Sequence, residues 1–223
     1  SLSSLGSLTT SSTDQITVSV NDGSGAAIDA TDLSALGAKT AGTVTVSNDI
    51  AISGNTSQVK AALVDAGTKV VAASATVSIS DNPSITNLNL IAAEAGVVTA
   101  TLAADSTANL LNLTTASTDS IALSVDDTPS IANLNTIAGK TGGVVTATLG
   151  ADSLSNLGAL TTASTDLITV SVNDANNANR DATDLSALGG KTGGTVTVSN
   201  AINISGTTSE VKAALVDTAT KVV

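Results

Sequence analysis

The chain has 223 residues, 42% of them apolar, and it contains no Phe, Trp, Tyr, Met, Cys or His. With 8 basic against 19 acidic residues its formal charge is −11, and its mean hydropathy is +0.34. This excludes disulfides, thiolate metal sites and Cys or His catalysis, and it argues against nucleic-acid and anionic-membrane binding, which need Lys/Arg patches or stacking rings.

Any core must therefore be built from Val, Ile, Leu and Ala. The apolar residues are strongly patterned, which argues against disorder. No apolar run approaches the roughly 18 residues that a membrane span requires.

Residues 1–71 recur as 153–223 without insertion or deletion, and 54 of the 71 positions are identical. A gapless offset of 152 residues predicts a periodic array: 1–152 as one six-coil superrepeat and 153–223 as a partial second one. The whole then reads as a single continuous fragment of a longer array.

In chain order, Leu2, Leu5 and Leu8 line one face of a short helical turn. Ile16, Val18 and Val20 then alternate with Thr17 and Ser19, as in a half-buried strand. A loop follows at Gly23–Ile28, which drifts to Ala175–Arg180 in the second copy at unchanged length. A helix is predicted from Ser57 to about Val70, with Val59, Ala62, Leu63 and Ala66 on one face. Ile85 and Leu88 mark another helical turn. Strand centres fall at Val18, Val44, Val77, Ala100, Leu123, Ala147, Val170 and Val196, with steps of 26, 33, 23, 23, 24, 23 and 26 residues. Ser84 and Ser130, each preceded by Pro, together with Ser106 and Thr183, are placed to cap helical turns.

This pattern predicts a repeat solenoid: a right-handed parallel β-solenoid with one main strand and a short helical turn per coil of about 23–33 residues. An LRR-like α/β solenoid is its variant.

Two columns of polar residues are candidate sites. Asp22, Asp49, Asp81, Asp105, Asp127, Asp152 and Asp174 end successive strands. They would either hold calcium, a hard cation that prefers oxygen ligands, or terminate strands and cap turns. The Gly-rich nonapeptide of calcium-binding β-rolls is absent, and Ala201 stands where Asp49 recurs. The second column is hydroxylic: Thr17, Ser19, Thr43, Thr45, Thr99, Thr101, Thr146, Thr148, Thr169, Ser171, Thr195 and Thr197. It would serve as a lateral contact face or, given sufficient regularity, as an ice-binding surface; Thr also favours solvent-facing strand positions.

Gly-Lys-Thr occurs at 139–141 and 190–192, but a phosphate loop needs a further glycine where Leu134 and Leu185 stand. It is a turn. Without His, the many Ser and Asp side chains lack the usual activating base, so no enzyme is expected.

The segment Thr208–Asp217 and the strand Gly142–Leu149 resemble the repeat regions of very large bacterial secreted or cell-surface proteins, notably cyanobacterial ones. The resemblance covers essentially the whole chain. It implies export, an extracellular or cell-surface location, and a structural or adhesive task. Many proteins of that kind also carry calcium-binding β-roll modules. The expected function is thus an extracellular fibre, sheath or adhesin stalk, with head-to-tail or lateral self-association and contact with cell-surface polysaccharide. The alternative is a binding module, either calcium-dependent and adhesive or ice-binding. No cofactor other than possible calcium, no nucleic acid and no membrane insertion are expected.

Overall fold

Segments with apolar residues three or four apart alternate with β-branched ones, and the computed structural model follows that alternation, describing residues 1–220 and 222–223. The chain opens with α1 (Leu2–Leu5), β1 (Val18–Val20), β2 (Ala27–Asp29) and α2 (Ala30–Gly37). It continues through β3 (Val44–Val46), β4 (Ala51–Gly54) and α3 (Thr56–Leu63). Shorter strand–helix units follow: β5 (Thr76–Ile79) with α4 (Ile85–Ala92), and β6 (Val97–Thr101) with α5 (Thr107–Leu110). Next come β7 (Ser120–Ser124) with α6 (Ile131–Ala138), and β8 (Val145–Thr148) with α7 (Leu154–Leu157). The last elements are β9 (Leu167–Val172), β10 (Asn179–Asp181), α8 (Ala182–Gly189), β11 (Val196–Val198), β12 (Asn203–Ser205) and α9 (Thr208–Leu215).

These elements correct the expected fold class. The protein is an α/β fold with an open eight-stranded parallel sheet of order β11-β9-β8-β7-β6-β5-β4-β2, plus two two-stranded parallel ladders, β1-β3 and β10-β12. A right-handed β-solenoid with one main strand per coil is not what forms. The first two steps each carry two strands, because Ile28 and Ile52 start a second ladder after Val18 and Val44 start the first, and the last step does the same with β9 and β10. The presumed short turns also include helices of eight residues, α2, α4, α6 and α8, with their own buried faces. Equivalent strands of the two copies join different sheets. The β2-β4 ladder belongs to the eight-stranded sheet while its equivalent β10-β12 is two-stranded, and the β9-β11 ladder belongs to it while its equivalent β1-β3 is two-stranded.

Strand pairing also differs from the predicted alignment in the middle of the chain. Val18 does face Val44, and Val170 faces Val196. Val77, however, pairs with Ile52 and Val98, Ala100 with Ile121, Leu123 with Val145, and Ala147 with Ile168. In the last four the partner lies two residues before the expected strand centre. A shift of two keeps every side chain on its face.

The chain divides into two compact units. The first comprises Ser1–Ala103, Asn112–Ala122 and Lys140–Gly142; the second comprises Ala104–Leu111, Leu123–Gly139 and Gly143–Val223. In the first, Leu33, Leu36, Val59, Leu63, Leu88 and Ile91 supply the buried helix faces, against Val20, Val44, Ile52 and Val98 from strands. In the second, Leu134, Ile137, Leu157, Leu185 and Leu188 pair with Val145, Ile168, Val170 and Val172. Each such Leu or Ile contributes about 1.5–3 kcal/mol on leaving water. Spacings of three or four place these residues on one face of each helix.

Among the described residues, all helix starts except that of α8 carry a side-chain cap. Ser84, Ser106, Ser130 and Ser153 accept the N–H three residues on, from Asn87, Asn109, Asn133 and Asn156. Thr183 lies inside α8 instead, and Asp181 stands at its N-cap. α3 begins with a capping box, Asn55 with Gln58, and α9 with Thr207 and Glu210. Both members changed together between copies while the box survived. α3 stops at Leu63, well short of Val70; beyond it the Asp65 N–H returns to the Lys60 carbonyl.

The variable loop keeps one backbone requirement. Gly25 has φ 77° and its equivalent Asn177 has φ 61°, and Gly and Asn tolerate this left-handed region best. Gly25 N–H donates to the Asp49 carbonyl at 2.6 Å and Asn177 N–H to Ala201 at 2.7 Å. Among the described residues, no helix is long and apolar enough to cross a membrane.

Candidate functional site

The strand-end aspartates separate into two working classes. Asp22, Asp81, Asp127 and Asp174 reach back to the first residue of an earlier helix. Asp22 accepts the Leu2 N–H at 2.7 Å, Asp81 the Thr56 N–H at 2.7 Å, Asp127 the Thr107 N–H at 3.1 Å, and Asp174 the Leu154 N–H at 3.2 Å. Asp81 and Asp127 take the Thr hydroxyl as well. These N–H groups are among the four that a helix leaves unpaired, and a carboxylate there also meets the positive end of the helix dipole.

Asp105 and Asp152 act locally instead. Each accepts the next residue's N–H, from Ser106 at 2.8 Å and Ser153 at 2.7 Å, and the side-chain amide of Asn109 or Asn156. Asp49 is exposed and contributes its backbone carbonyl to the Gly25 turn. Among the described residues, no three acidic side chains converge closely enough to hold a metal ion. Six of the seven side chains in the column are thus spent on hydrogen bonds at helix starts.

A second set of aspartates, just before strands, was not singled out from the sequence. Asp119 is buried and accepts Val98 N–H at 2.8 Å and Ala116 N–H at 2.9 Å; Asp166 does the same with Val145 at 2.9 Å and Ala163 at 2.8 Å. Both close a Thr-Thr-Ala-Ser-Thr-Asp segment, at 114–119 and 161–166, whose repetition was the available signal. The Lys-Thr pair of the rejected phosphate loop locks onto the same segment. Thr141 Oγ1 accepts the Ile121 N–H and donates to the Ile121 carbonyl, both at 2.8 Å, and Thr192 treats Ile168 identically. Thr40 does so with Ile16, at 3.0 and 2.7 Å. The neighbouring ammonium groups satisfy carbonyls: Lys39 those of Gly6 and Leu8, Lys140 that of Leu113, and Lys191 that of Gly158. Gly6 and Gly158 are helix C-caps, where a cation is favoured.

The hydroxyl column is only partly assembled. Ser19 lies beside Thr45, Thr148 beside Thr169, and Ser171 beside Thr197. Thr17, Thr43 and Thr195 are exposed just outside the paired strand segments. Thr99 sits between Ser78 and Ser120, Thr101 faces Ala122, and Thr146 lies between Ser124 and the exposed Leu167. Ser19 and Ser171 are tied to Ser47 and Ser199 by hydroxyl contacts of 2.9 and 2.7 Å.

One concave feature occurs in both copies. A groove of about 510 Å³ is lined by Leu2, Asp22, Ile28, Asp29, Asp32 and Lys39, among others. Its equivalent, about 500 Å³, is lined by Leu154, Arg180, Asp181, Asp184 and Lys191. In the second copy Arg180 donates to the buried Asp174. The Arg180 guanidinium beside Asp174, helped by the Leu154 N–H, holds that carboxyl below the usual range. Asp29 is likewise lowered, by the hydroxyl and then the N–H of Thr31.

Compared with known proteins, the chain matches no family model, no curated sequence and no solved structure.

Proposed function

We propose that this chain is a structural repeat segment of an extracellular fibre, sheath or adhesin stalk, and that it associates with copies of itself. The observation that supports this reading is where the recurring polar residues are spent. Asp, Lys and Thr side chains that repeat along the sequence bind backbone groups 20 to 33 residues away, and thereby hold one repeat to another. A protein selected to bind or transform a ligand would concentrate such groups in one unique pocket. Here the same contacts recur at 152-residue intervals, as cohesion requires. The charge of −11 keeps such segments from sticking indiscriminately. Lateral contact would use the exposed Thr/Ser pairs, which pair hydroxyls without burying charge.

Electron microscopy of the purified chain, combined with sedimentation velocity, tests this. Elongated assemblies that grow with concentration are expected. Discrete globular monomers at every concentration would overturn the reading.

A further inference from the structure

The two grooves form an internal comparison, because their frames are nearly identical in sequence and only a few lining residues differ. Asp22, Asp29, Asp32 and Lys39 of the first copy recur as Asp174, Asp181, Asp184 and Lys191 of the second. Ala27-Ile28, however, is replaced by Asn179-Arg180. Arg180 lines the second groove and covers Asp174, which is only 4% exposed behind it. In the first groove Ile28 is too short to reach that far, and Asp22 itself lines the cavity. One Asp22 oxygen receives the Leu2 N–H at 2.7 Å. Among the described residues, no cationic side chain pairs with Asp22.

Charge follows the same comparison. The first groove holds three carboxylates against Lys39, whose ammonium is engaged by the carbonyls of Gly6 and Leu8. The second presents Asp181, Asp184 and the guanidinium of Arg180, the only arginine of the chain, with Asp174 buried behind that guanidinium. The second copy thus shows what sits against this aspartate when a cation is supplied internally. A planar guanidinium can donate to a carboxylate through two N–H groups, and it is weakly hydrated, so it leaves water more readily than an ammonium.

We propose that the groove of the first copy is a binding site for an alkylguanidinium group supplied from outside the chain, seated on Asp22 where Arg180 is seated on Asp174. Asp32, on the first turn of α2, adds a second negative charge beside the site, as Asp184 does beside Arg180. The apolar walls from Leu2, Ile28 and Leu36 suit the carbon stem of such a group. The proposal does not depend on self-association.

The test uses the full chain, titrated with N-butylguanidinium and, separately, with a short acetylated, amidated Gly-Arg-Gly peptide. Binding is followed by calorimetry and by the amide NMR signals of Leu2 and Ile28. Wild type is expected to bind one equivalent. Ile28→Arg should bind none, since it rebuilds the second copy's internal occupant, and that copy shows that the fold accepts arginine there. Arg180→Ile should bind two. Preference for the peptide assigns the group to a protein side chain, whereas equal binding assigns it to a small molecule; both support the site. No saturable shift in wild type, undiminished binding in Ile28→Arg, or a stoichiometry left at one in Arg180→Ile would each overturn it.

Discussion

Asp127 reaches back 20 residues to Thr107, where its carboxylate accepts the backbone N–H at 3.1 Å and the hydroxyl as well. Asp81 binds Thr56 in the same manner across 25 residues. These contacts turn a strand-end acid of one repeat into the N-terminal cap of an earlier helix. An acid engaged in this way has little reason to recruit a metal.

The melting temperature is accordingly expected to be the same in millimolar Ca²⁺ and in chelator. A ligand bound only by the folded state raises it by mass action. A rise of several degrees in Ca²⁺ would show that the carboxylates converge on an ion rather than on helix ends.

Acid should weaken the fold through a small set of groups. The Thr56 hydroxyl and then its N–H lower the Asp81 pKa, and Arg180 followed by Leu154 N–H lowers that of Asp174. Because the folded values lie below the unfolded value of about 3.9, the stabilisation is fully present above it. It is lost as pH falls through the folded values. Urea midpoints measured from pH 6 downward should therefore hold until about pH 4 and then drop. The drop should be smaller in Asp81→Ala, which has already lost this contribution.

Close backbone approach gives a sharper contrast. A Cβ at Gly37, the last residue of α2, would lie 2.0 Å from the Thr68 carbonyl oxygen, and the same holds for Gly189 and Thr220. Gly37→Ala is expected to cost about 1–3 kcal/mol by overpacking, read as a lower urea midpoint. Gly23→Ala should be neutral, since nothing lies within 4 Å of its Cβ position and Ala175 occupies the equivalent place.

Much of the local structure was legible in the sequence. Alternation told which faces of Val18, Val44 and Val170 are inward, and Ser84, Ser106 and Ser130 announced helix starts, because both signals are carried by residues a few positions apart. Pairing between strands was less legible. Alternation fixes the parity of a register but not its step, so strand centres alone set Ala100 against Leu123, two residues from its true partner Ile121. The second ladder through Ile28 and Ile52 was hidden because each segment holds a single buried apolar residue. That hidden ladder is why one strand per coil fails. The partners of Asp22, Asp81, Asp127 and Asp174 lie at least 20 residues away, beyond any local motif. Only the replacement of Ile28 by Arg180 marked the recurring groove.

Amide hydrogen exchange at Leu2, Thr56, Thr107 and Leu154 tests the capping of one repeat by another most directly. These four first-turn amides are expected to be protected, and alanine at Asp81 or Asp127 should expose Thr56 or Thr107 selectively. Exchange at the rate of an open chain in the unaltered protein, or protection that survives loss of the aspartate, would contradict it.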